Sequence, residues 1–374
     1  MALIKELQNR IKSYKSLNAF CKSNKIRYTE YEKEDLIVLN YEQSATPGTI
    51  SDLCRGLILK KSTLEVVCRG FDRFGFYNIS ESGFNIEDCK FYEKIDGSLI
   101  KIYFLKNLWH VSNRSQAFAE NLSCSLGRIT SNKTFADLVF EALEVQNIQE
   151  FQYFCETNKF MPECTYIFEL TSIHTTVITP YNQTKLWFLG ARDNCTGQYL
   201  NNIKISGPVL YPKSYKFESF KACEEAANVL SGRKEGFVVY NANDEPIAKI
   251  KSKHYQILHK IKGNVLDEKR ICNMIINGKH TAFLEAFPSY QKEFEPYIKK
   301  FNEFDDNNYI GEEFKKLLKI DSEEQFLQES LKKPWGAVAY VGRKLKINNA
   351  KNAFMCNTPN KADILLKCVN ENSV

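Results

Sequence analysis

The sequence contains no apolar run long enough to cross a bilayer. Within its 374 residues, apolar runs such as Phe237-Val238-Val239-Tyr240 fall far short of the roughly 20 residues that a membrane-spanning helix needs. The segment Met1-Ala2-Leu3-Ile4-Lys5-Glu6 carries charges where a signal peptide has an apolar stretch. We therefore expect no membrane partner and a cytoplasmic protein, in the host cytoplasm if the source is a virus.

The twelve cysteines and five histidines lack the spacing of a metal or redox site. The sequence has no CxxC motif and no Cys/His cluster at zinc spacing, and no histidine is paired with a serine or cysteine as in a catalytic triad. The cysteines, spread from Cys21 to Cys368, are typical of buried reduced thiols rather than of a disulfide framework. The net charge of +6 is compatible with a polyanionic partner but does not identify one.

The spacing of apolar residues predicts an α+β protein. An amphipathic helix is expected at the start, with one face formed by Leu3, Leu7, Ile11, Tyr14 and Leu17. Short β-branched and aromatic runs over residues 26–115 predict strands of an antiparallel sheet, and residues 115–160 favour helix. Strands then return between residues 165 and 251.

Two domains are predicted from the change in pattern after His254, where strand-like runs give way to helical ones. We place an N-terminal antiparallel-sheet domain at residues 1–255 and a mainly α-helical C-terminal domain at residues 256–374. A chain of this length is sufficient for two cores of ordinary size.

The segment Lys94-Ile95-Asp96-Gly97-Ser98 suits a lysine that attacks phosphorus. Such a lysine must be neutral, yet its ordinary pKa is about 10.4. Nearby cations lower a lysine pKa and also stabilise charge on a phosphate, so a lysine nucleophile implies a basic pocket that contains a metal. By itself the K-x-D-G pattern is weak, because a lysine before an Asp-Gly turn gives the same letters.

The order of charged strands downstream favours the functional interpretation of Lys94. An apolar strand ends in Glu169, another begins at Glu235, and Lys249-Ile250-Lys251 closes a third. Ionised side chains in such strands are costly in a core and are expected in a cleft.

With these motifs the sequence resembles the covalent nucleotidyltransferase superfamily, which contains DNA ligases, RNA ligases and mRNA capping enzymes. Lys94-Ile95-Asp96-Gly97 resembles the nucleophile motif, Phe168-Glu169 the third motif, Glu235-Gly236-Phe237-Val238 the fourth and Lys249-Ile250-Lys251 the fifth. Over residues 35–260 it is most similar to the ATP-dependent RNA ligase 1 family of the T-even phage type. The resemblance implies a nucleotidyltransferase (adenylation) fold for residues 1–255.

The resemblance also implies a role for each matching residue. Lys94 would form lysyl-AMP from ATP, and Arg55, Lys249 and Lys251 would bind the triphosphate. The implied catalytic set is Lys94, Glu169, Glu235, Lys249 and Lys251.

The remaining matches concern nucleotide and metal binding. Tyr41 and Arg73 would lie at the nucleotide site, and Glu169 and Glu235 would contact the ribose and, through water, Mg²⁺ or Mn²⁺. Tyr255 matches a further functional position.

The sequence departs from the family pattern at two places. Arg73 stands where the family often has a lysine, which keeps the charge but changes its geometry. Residues 277–283 lack the paired aspartates that the phage enzyme places near its metal. Two alternatives stay open for residues 113–117, a substrate contact or a helix start with a solvated arginine, and we expect Trp187 and Phe188 in the core rather than stacked on adenine.

The function implied by the resemblance is that of an ATP-dependent RNA ligase in RNA repair. It would join 5′-phosphate and 3′-hydroxyl ends of single-stranded or loop RNA, with cleaved tRNA as the implied substrate and the C-terminal domain as the specificity element. The alternatives are a DNA ligase, a capping-type nucleotidyltransferase and a non-catalytic RNA-end-binding protein. A helical tail counts against the first two, which usually carry an OB-fold there.

Overall fold

We describe the fold from a computed structural model of the chain, over residues 2–75, 84–121, 123–126, 129–230, 233–263, 266–356 and 358–370. The chain forms two units, Met1–Lys260 and Ile261–Val374. The sequence analysis placed this division at 255/256. Within the described residues, no helix combines the length and the apolar character needed to cross a bilayer.

In the described part of the first unit the strands form four sheets, antiparallel except for one short strand. The first sheet has the order β1-β2-β3-β4, from Ile26–Tyr31, Leu36–Tyr41, Arg55–Lys60 and Val66–Cys68. The second has the order β12-β11-β10-β6-β7, with the short β13 added in parallel to β11; its strands are β6 Ser98–Leu105, β7 Leu108–Asn113, β10 Cys164–Thr171, β11 Lys185–Asp193, β12 Tyr199–Leu200 and β13 Val209–Leu210. The third has the order β14-β5-β15-β16, from β5 Lys90–Glu93, β14 Ser214–Tyr215, β15 Gly236–Tyr240 and β16 Pro246–Lys251. The fourth is a hairpin of β8 Ser123–Leu126 and β9 Ile129–Thr134.

Helices cover these sheets and form the second unit. The first five are α1 Ala2–Ser13, α2 Leu17–Ser23, α3 Phe135–Leu143, α4 Ile148–Thr157 and α5 Phe220–Asn228. The others are α6 Lys253–Lys262, α7 Glu268–Ile276, α8 His280–Ala286, α9 Gln291–Asn302, α10 Tyr309–Leu318, α11 Glu323–Leu331, α12 Gly336–Leu345, α13 Ala350–Met355 and α14 Lys361–Asn370. The α+β class and the helical C-terminal part are confirmed.

Strand β6 shows how the sequence divides the core of the first unit. Successive side chains of a strand point to opposite faces. Ile100 and Ile102 enter the core that contains buried residues of α3 and α4, whereas Tyr103 packs in a second core with residues of β2, β3 and β4. Lys101 lies on the same face as Tyr103.

Two local predictions differ from the structure. The first helix buries Ile4, Leu7 and Ile11, while Leu3 lies at the exposed side of this face and Tyr14 lies beyond the end of the helix at Ser13. The predicted helix over 115–160 is wrong in its first part. The described residues there form β8 and β9, which are rich in serine and threonine, and these residues have low helix propensity.

The cysteines whose side chains are described are all free thiols, and most are buried.

Candidate active site

Lys94 lies directly after β5, where the chain packs closely against strands β15 and β10. Its backbone N–H donates to the carbonyl of Gly236 at 2.8 Å, which anchors it to the start of β15. A Cβ added at Gly97 would collide with the carbonyl oxygen of Leu170 in β10. Glycine is therefore required here by close backbone approach.

Asp96 is buried and fully engaged inside the protein. One oxygen accepts from the amides of Ile178 and Thr179 at 2.8 and 2.7 Å, and the other accepts from the hydroxyl of Tyr255 at 2.7 Å. Tyr255 is itself only 2% exposed. Asp96 and Tyr255 thus hold the lysine motif against the neighbouring loop and the start of α6, and Tyr255 has no direct place in the cavity described below.

Glu235 bridges two lysines of the predicted catalytic set. Its Oε2 lies 2.8 Å from Lys94 Nζ, and its Oε1 lies 2.6 Å from Lys251 Nζ. Burial of this carboxylate opposes ionisation, but the two lysines outweigh burial and hold the pKa of Glu235 below its ordinary value.

The same ion pair acts on the nucleophile in the direction opposite to that predicted. Burial favours a lower pKa for Lys94, but the charges of Glu235 and Glu169 and the hydrogen bond to Glu235 outweigh burial and raise the pKa. With the side chains alone, the expected lowering of this pKa does not occur, because the charges of the carboxylates outweigh burial. Lys94 is therefore a protonated, ion-paired side chain until these carboxylates are neutralised or displaced.

The pKa of Lys249 is strongly lowered. Burial, with the charges of Arg55, Lys94 and Lys251, lowers the pKa of Lys249 to about 6. Its Nζ lies 4.2 Å from the centroid of the Phe74 ring, which also faces the guanidinium of Arg55 at 5.6 Å. Neutral Lys249 is therefore ready to gain a proton when an anion arrives.

Glu169 points into the same space without a partner. Its carboxyl group has no hydrogen bond or ion pair within the described ranges, and burial raises its pKa to about 7, with the charge of Lys94 opposing that rise. Nη1 of Arg55 is likewise buried with no hydrogen-bond partner among the described residues. Unpaired groups of opposite charge suit a ligand that carries both anionic and cationic parts.

These residues surround a cavity of about 210 Å³ between the second and third sheets. The charged lining consists of Arg55, Glu93, Lys94, Glu169, Asp244 and Lys249. The apolar and aromatic lining includes Phe71, Phe74, Tyr92, Leu99, Phe188, Tyr199, Tyr211, Val238 and Tyr240. A cavity with one apolar wall and convergent polar groups suits a nucleotide.

The arrangement of carboxylates suits a divalent cation that keeps its waters better than a cation bound only by protein ligands. Within the described residues there is no group of three or more His, Cys, Asp and Glu side chains that could hold a metal. Both oxygens of Glu235 contact lysines, and Glu169 offers an unpaired hard oxygen donor. Magnesium often keeps several waters, which two carboxylates can hold by hydrogen bonds.

Tyr41 and Arg73 are not among the residues that line this cavity. Instead, the ring of Tyr41 is sandwiched between two guanidinium groups, with Arg73 Cζ at 4.5 Å and Arg114 Cζ at 4.7 Å from its centroid. Arg73 also donates to the carbonyl of Ala45 at 2.8 Å. Their assignment to the nucleotide site stays a prediction.

Sequence reasoning missed Phe74 and the aromatic wall. The position of Phe74 next to Arg55 and Lys249 cannot be read from residue spacing. Phe188 is 7% exposed and belongs to the core as predicted, yet it also lines the cavity. Trp187 donates from Nε1 to Thr171 and is not a lining residue.

Comparison with known proteins agrees with this geometry. Residues 53–266 match the RNA ligase family of the T4 RNA ligase 1 type. A candidate bifunctional polynucleotide kinase/RNA ligase from Autographa californica nuclear polyhedrosis virus is 37% identical over 356 residues, covering 90% of this chain and 49% of that protein. The chain spans about half the length of this curated relative.

Two solved structures align with part of the chain. An archaeal ATP-dependent RNA ligase aligns with 79% of this chain and 73% of its own, at 14% identity and a TM-score of 0.45. A mutant RNA ligase of Naegleria gruberi with ATP and Mn aligns with 46% of this chain and 51% of its own, at 14% identity and a TM-score of 0.31. The family assignment rests on the sequence match, which covers more than half of the chain and includes Lys94, Glu169, Glu235, Lys249 and Lys251. The chain therefore belongs to the RNA ligase family of the T4 RNA ligase 1 type.

Proposed function

We propose that this protein is an ATP-dependent RNA ligase that carries AMP on Lys94. The observation that supports this most is the meeting of Lys94, Arg55, Lys249 and Glu169 in one cavity, with Glu235 and Lys251 directly behind Lys94. A lysine nucleophile, cations for phosphate charge and carboxylates for ribose and metal are the groups that nucleotidyl transfer needs.

The first step joins Lys94 to the nucleotide. Nζ of Lys94 loses a proton and attacks the α-phosphorus of ATP, so that an N–P bond forms, the P–O bond between the α- and β-phosphates breaks and pyrophosphate leaves. Arg55, Lys249 and Lys251 stabilise the charge that accumulates on the phosphate oxygens. Lys249 becomes charged on binding, because an adjacent triphosphate favours its ammonium form.

The divalent cation would be held by Glu169 and, through water, by Glu235. When bound, Mg²⁺ or Mn²⁺ supplies positive charge to the phosphates and neutralises the carboxylates that keep Lys94 protonated. Glu169 must be ionised for this role, so the site becomes competent as the pH passes its pKa of about 7.

The later steps pass AMP to a 5′-phosphate RNA end and seal it. The 5′-phosphate displaces Lys94 from phosphorus, and the 3′-hydroxyl then attacks the 5′-phosphate and releases AMP. Each step forms one bond to phosphorus and breaks another, so one cavity that contains Arg55 and Lys249 serves all three. The name of the viral relative, which joins an RNA ligase with a polynucleotide kinase, supports a role in RNA end repair. We propose broken single strands or loops of RNA in the cytoplasm as substrates, with cleaved tRNA to be tested first.

The rival activities are sealing of DNA, capping with GTP and RNA-end binding without catalysis. An OB-fold has five strands, whereas helices α7 to α14 account for the regular structure described after residue 263. This disfavours the first two. A pure binder has no need of a lysine that pairs with Glu235 at a cavity lined by further basic residues, which disfavours the third.

Sealing assays on matched substrates test the proposal. We would incubate the protein with ATP and Mg²⁺ and one of two substrates, 5′-phosphorylated single-stranded RNA or nicked duplex DNA. Circular or joined RNA is expected, with little sealing of the DNA nick. Preferential sealing of the nick would favour the DNA ligase alternative, and no joining of either substrate would favour the RNA-end-binding one.

A further inference from the structure

Lys101 is a buried lysine for which the chemistry above has no use. It lies in β6 with 0% of its surface exposed, on the strand face that it shares with Leu99 and Tyr103. Leu99 lines the cavity, and Tyr103 packs in a core, so Lys101 stands between the two. An apolar side chain of similar length would fill this position without the cost of burying an ammonium group. Packing alone therefore does not account for a lysine here.

The side chain of Lys101 runs between two glycines, each of which follows an arginine. A Cβ added at Gly70 would come within 3.0 Å of Lys101 Cδ, and one added at Gly56 would come within 3.1 Å of its Nζ. The ammonium donates a hydrogen bond to the carbonyl of Gly56. The two glycines belong to a repeated tripeptide, Cys-Arg-Gly, at residues 54–56 and 68–70.

Both tripeptides lead into the cavity. The first contains Arg55, whose Nη1 is buried and unpaired in the described structure. The second precedes Phe71 and Phe74, which line the cavity, and Phe74 faces both Arg55 and Lys249. Gly56 has a φ of +72°, a left-handed conformation that glycine adopts readily, and the Lys101 ammonium donates to its carbonyl.

We propose that Lys101 is a positioning residue that fixes the two Arg-Gly segments and thereby aims Arg55 at the phosphates of the nucleotide. The proposal rests on the proposed function, because it gives Arg55 a phosphate ligand. Burial lowers the pKa of Lys101, while Cys68 opposes that decrease. The hydrogen bond to Gly56 persists in either protonation state, since a neutral amine also donates.

The test compares nucleotides that differ only in phosphate number. Lys101→Met keeps the length and apolar stem but removes the donor, and the control Lys216→Met changes an exposed lysine of the same unit. We would measure affinity for ATP and for AMP by calorimetry, and the ATP concentration dependence of label transfer to Lys94. Lys101→Met should weaken ATP binding about tenfold, a change expected from loss of one phosphate contact, and leave AMP binding within about threefold. Its maximum rate of label transfer should change less than its KM for ATP.

Gly70→Ala is a second variant, which keeps Lys101 but places a methyl group against its side-chain methylenes. We expect it to shift the ATP-to-AMP affinity ratio in the same direction by a smaller amount. Equal losses for ATP and AMP, or wild-type affinities for both in Lys101→Met, would overturn the inference. A wild-type protein that binds ATP selectively but forms no adduct would contradict the proposed function instead, while a loss of ATP selectivity in Lys101→Met would still support the role of Lys101.

Discussion

Glu235 holds the ammonium of Lys94 at 2.8 Å inside a pocket where the carboxylate is only 4% exposed. This ion pair favours the protonated form of the predicted nucleophile, because it outweighs the burial that would otherwise lower the pKa of Lys94. Activation of the lysine therefore depends on what arrives in the pocket.

Replacing Glu235 by glutamine should make Lys94 more reactive toward small acylating reagents at lower pH. The substitution removes the charge that raises the lysine pKa, so the midpoint of labelling should shift toward acid. Adduct formation with ATP should nevertheless fall about 10²-fold, because ribose and metal contacts are lost. Mass spectrometry of Lys94 labelling across a pH series measures the first effect.

Glu93→Gln is the matched control for that measurement. Glu93 precedes Lys94 in the chain and lines the same cavity, but it pairs with Lys234 at 3.1 Å. Its substitution should leave the labelling midpoint close to that of the wild type. An equal shift in both variants would show that the direct ion pair does not control Lys94.

Adduct formation should rise with pH as Glu169 ionises. Burial raises the pKa of Glu169 to about 7, so its carboxyl group is protonated below that pH and able to hold a hydrated cation above it. Initial rates of label transfer from ATP with Mg²⁺ should show this rise, followed at higher pH by deprotonation of Lys94. The Glu169→Gln variant should form the adduct slowly. Its rate should lack the rise that Glu169 causes at lower pH and keep the one that Lys94 causes at higher pH. If the lower rise persists in this variant, another group is responsible.

ATP binding at neutral pH should be accompanied by proton uptake at Lys249. A pKa of about 6 leaves most Lys249 neutral at pH 7, and an adjacent triphosphate favours its charged form. Calorimetry in two buffers of different ionisation enthalpy should detect uptake approaching about one proton. Lys249→Met should lose that uptake, whereas Lys216→Met, at an exposed position, should keep it. Equal uptake in all three proteins would show that Lys249 is not the group that takes up the proton.

Tyr255→Phe should destabilise the fold more than it slows the chemistry. The hydroxyl of Tyr255 is 2.7 Å from Asp96, which is buried, and its removal leaves one carboxylate oxygen without a donor. A loss of about 1–3 kcal/mol in the free energy of unfolding is expected for such a group. Urea unfolding measures it, with Tyr153→Phe at a 70% exposed position as the control. Unchanged stability together with loss of adduct formation would show that Tyr255 acts directly on the nucleotide.

Much of the candidate site follows from the order of motifs along the chain. Charged residues at strand ends predicted a cleft, and the structure brings Lys94, Glu235 and Lys251 into direct contact. The general α+β division followed from the change of apolar spacing near His254. These features depend on short segments of the sequence, so residue patterns are sufficient to predict them.

The remaining features depend on contacts between distant segments. Asp96 meets Tyr255 across the chain, and Gly97 is required by the carbonyl of Leu170. The pKa of Lys94 could not be predicted in sign, because burial and carboxylates act in opposite directions and their balance depends on distance. Likewise, the helix propensity of residues 115–134 was overestimated because pairing of β8 with β9 involves a sequence without clear apolar alternation.

The most direct test of the account is transfer of label from α-labelled ATP to the protein. We would incubate the protein with Mg²⁺ and the labelled nucleotide, denature it and locate the label by peptide mapping. The account predicts AMP bound to Lys94 by an acid-labile bond, absent in Lys94→Ala. No label retained after denaturation, or label that persists in Lys94→Ala, would contradict it.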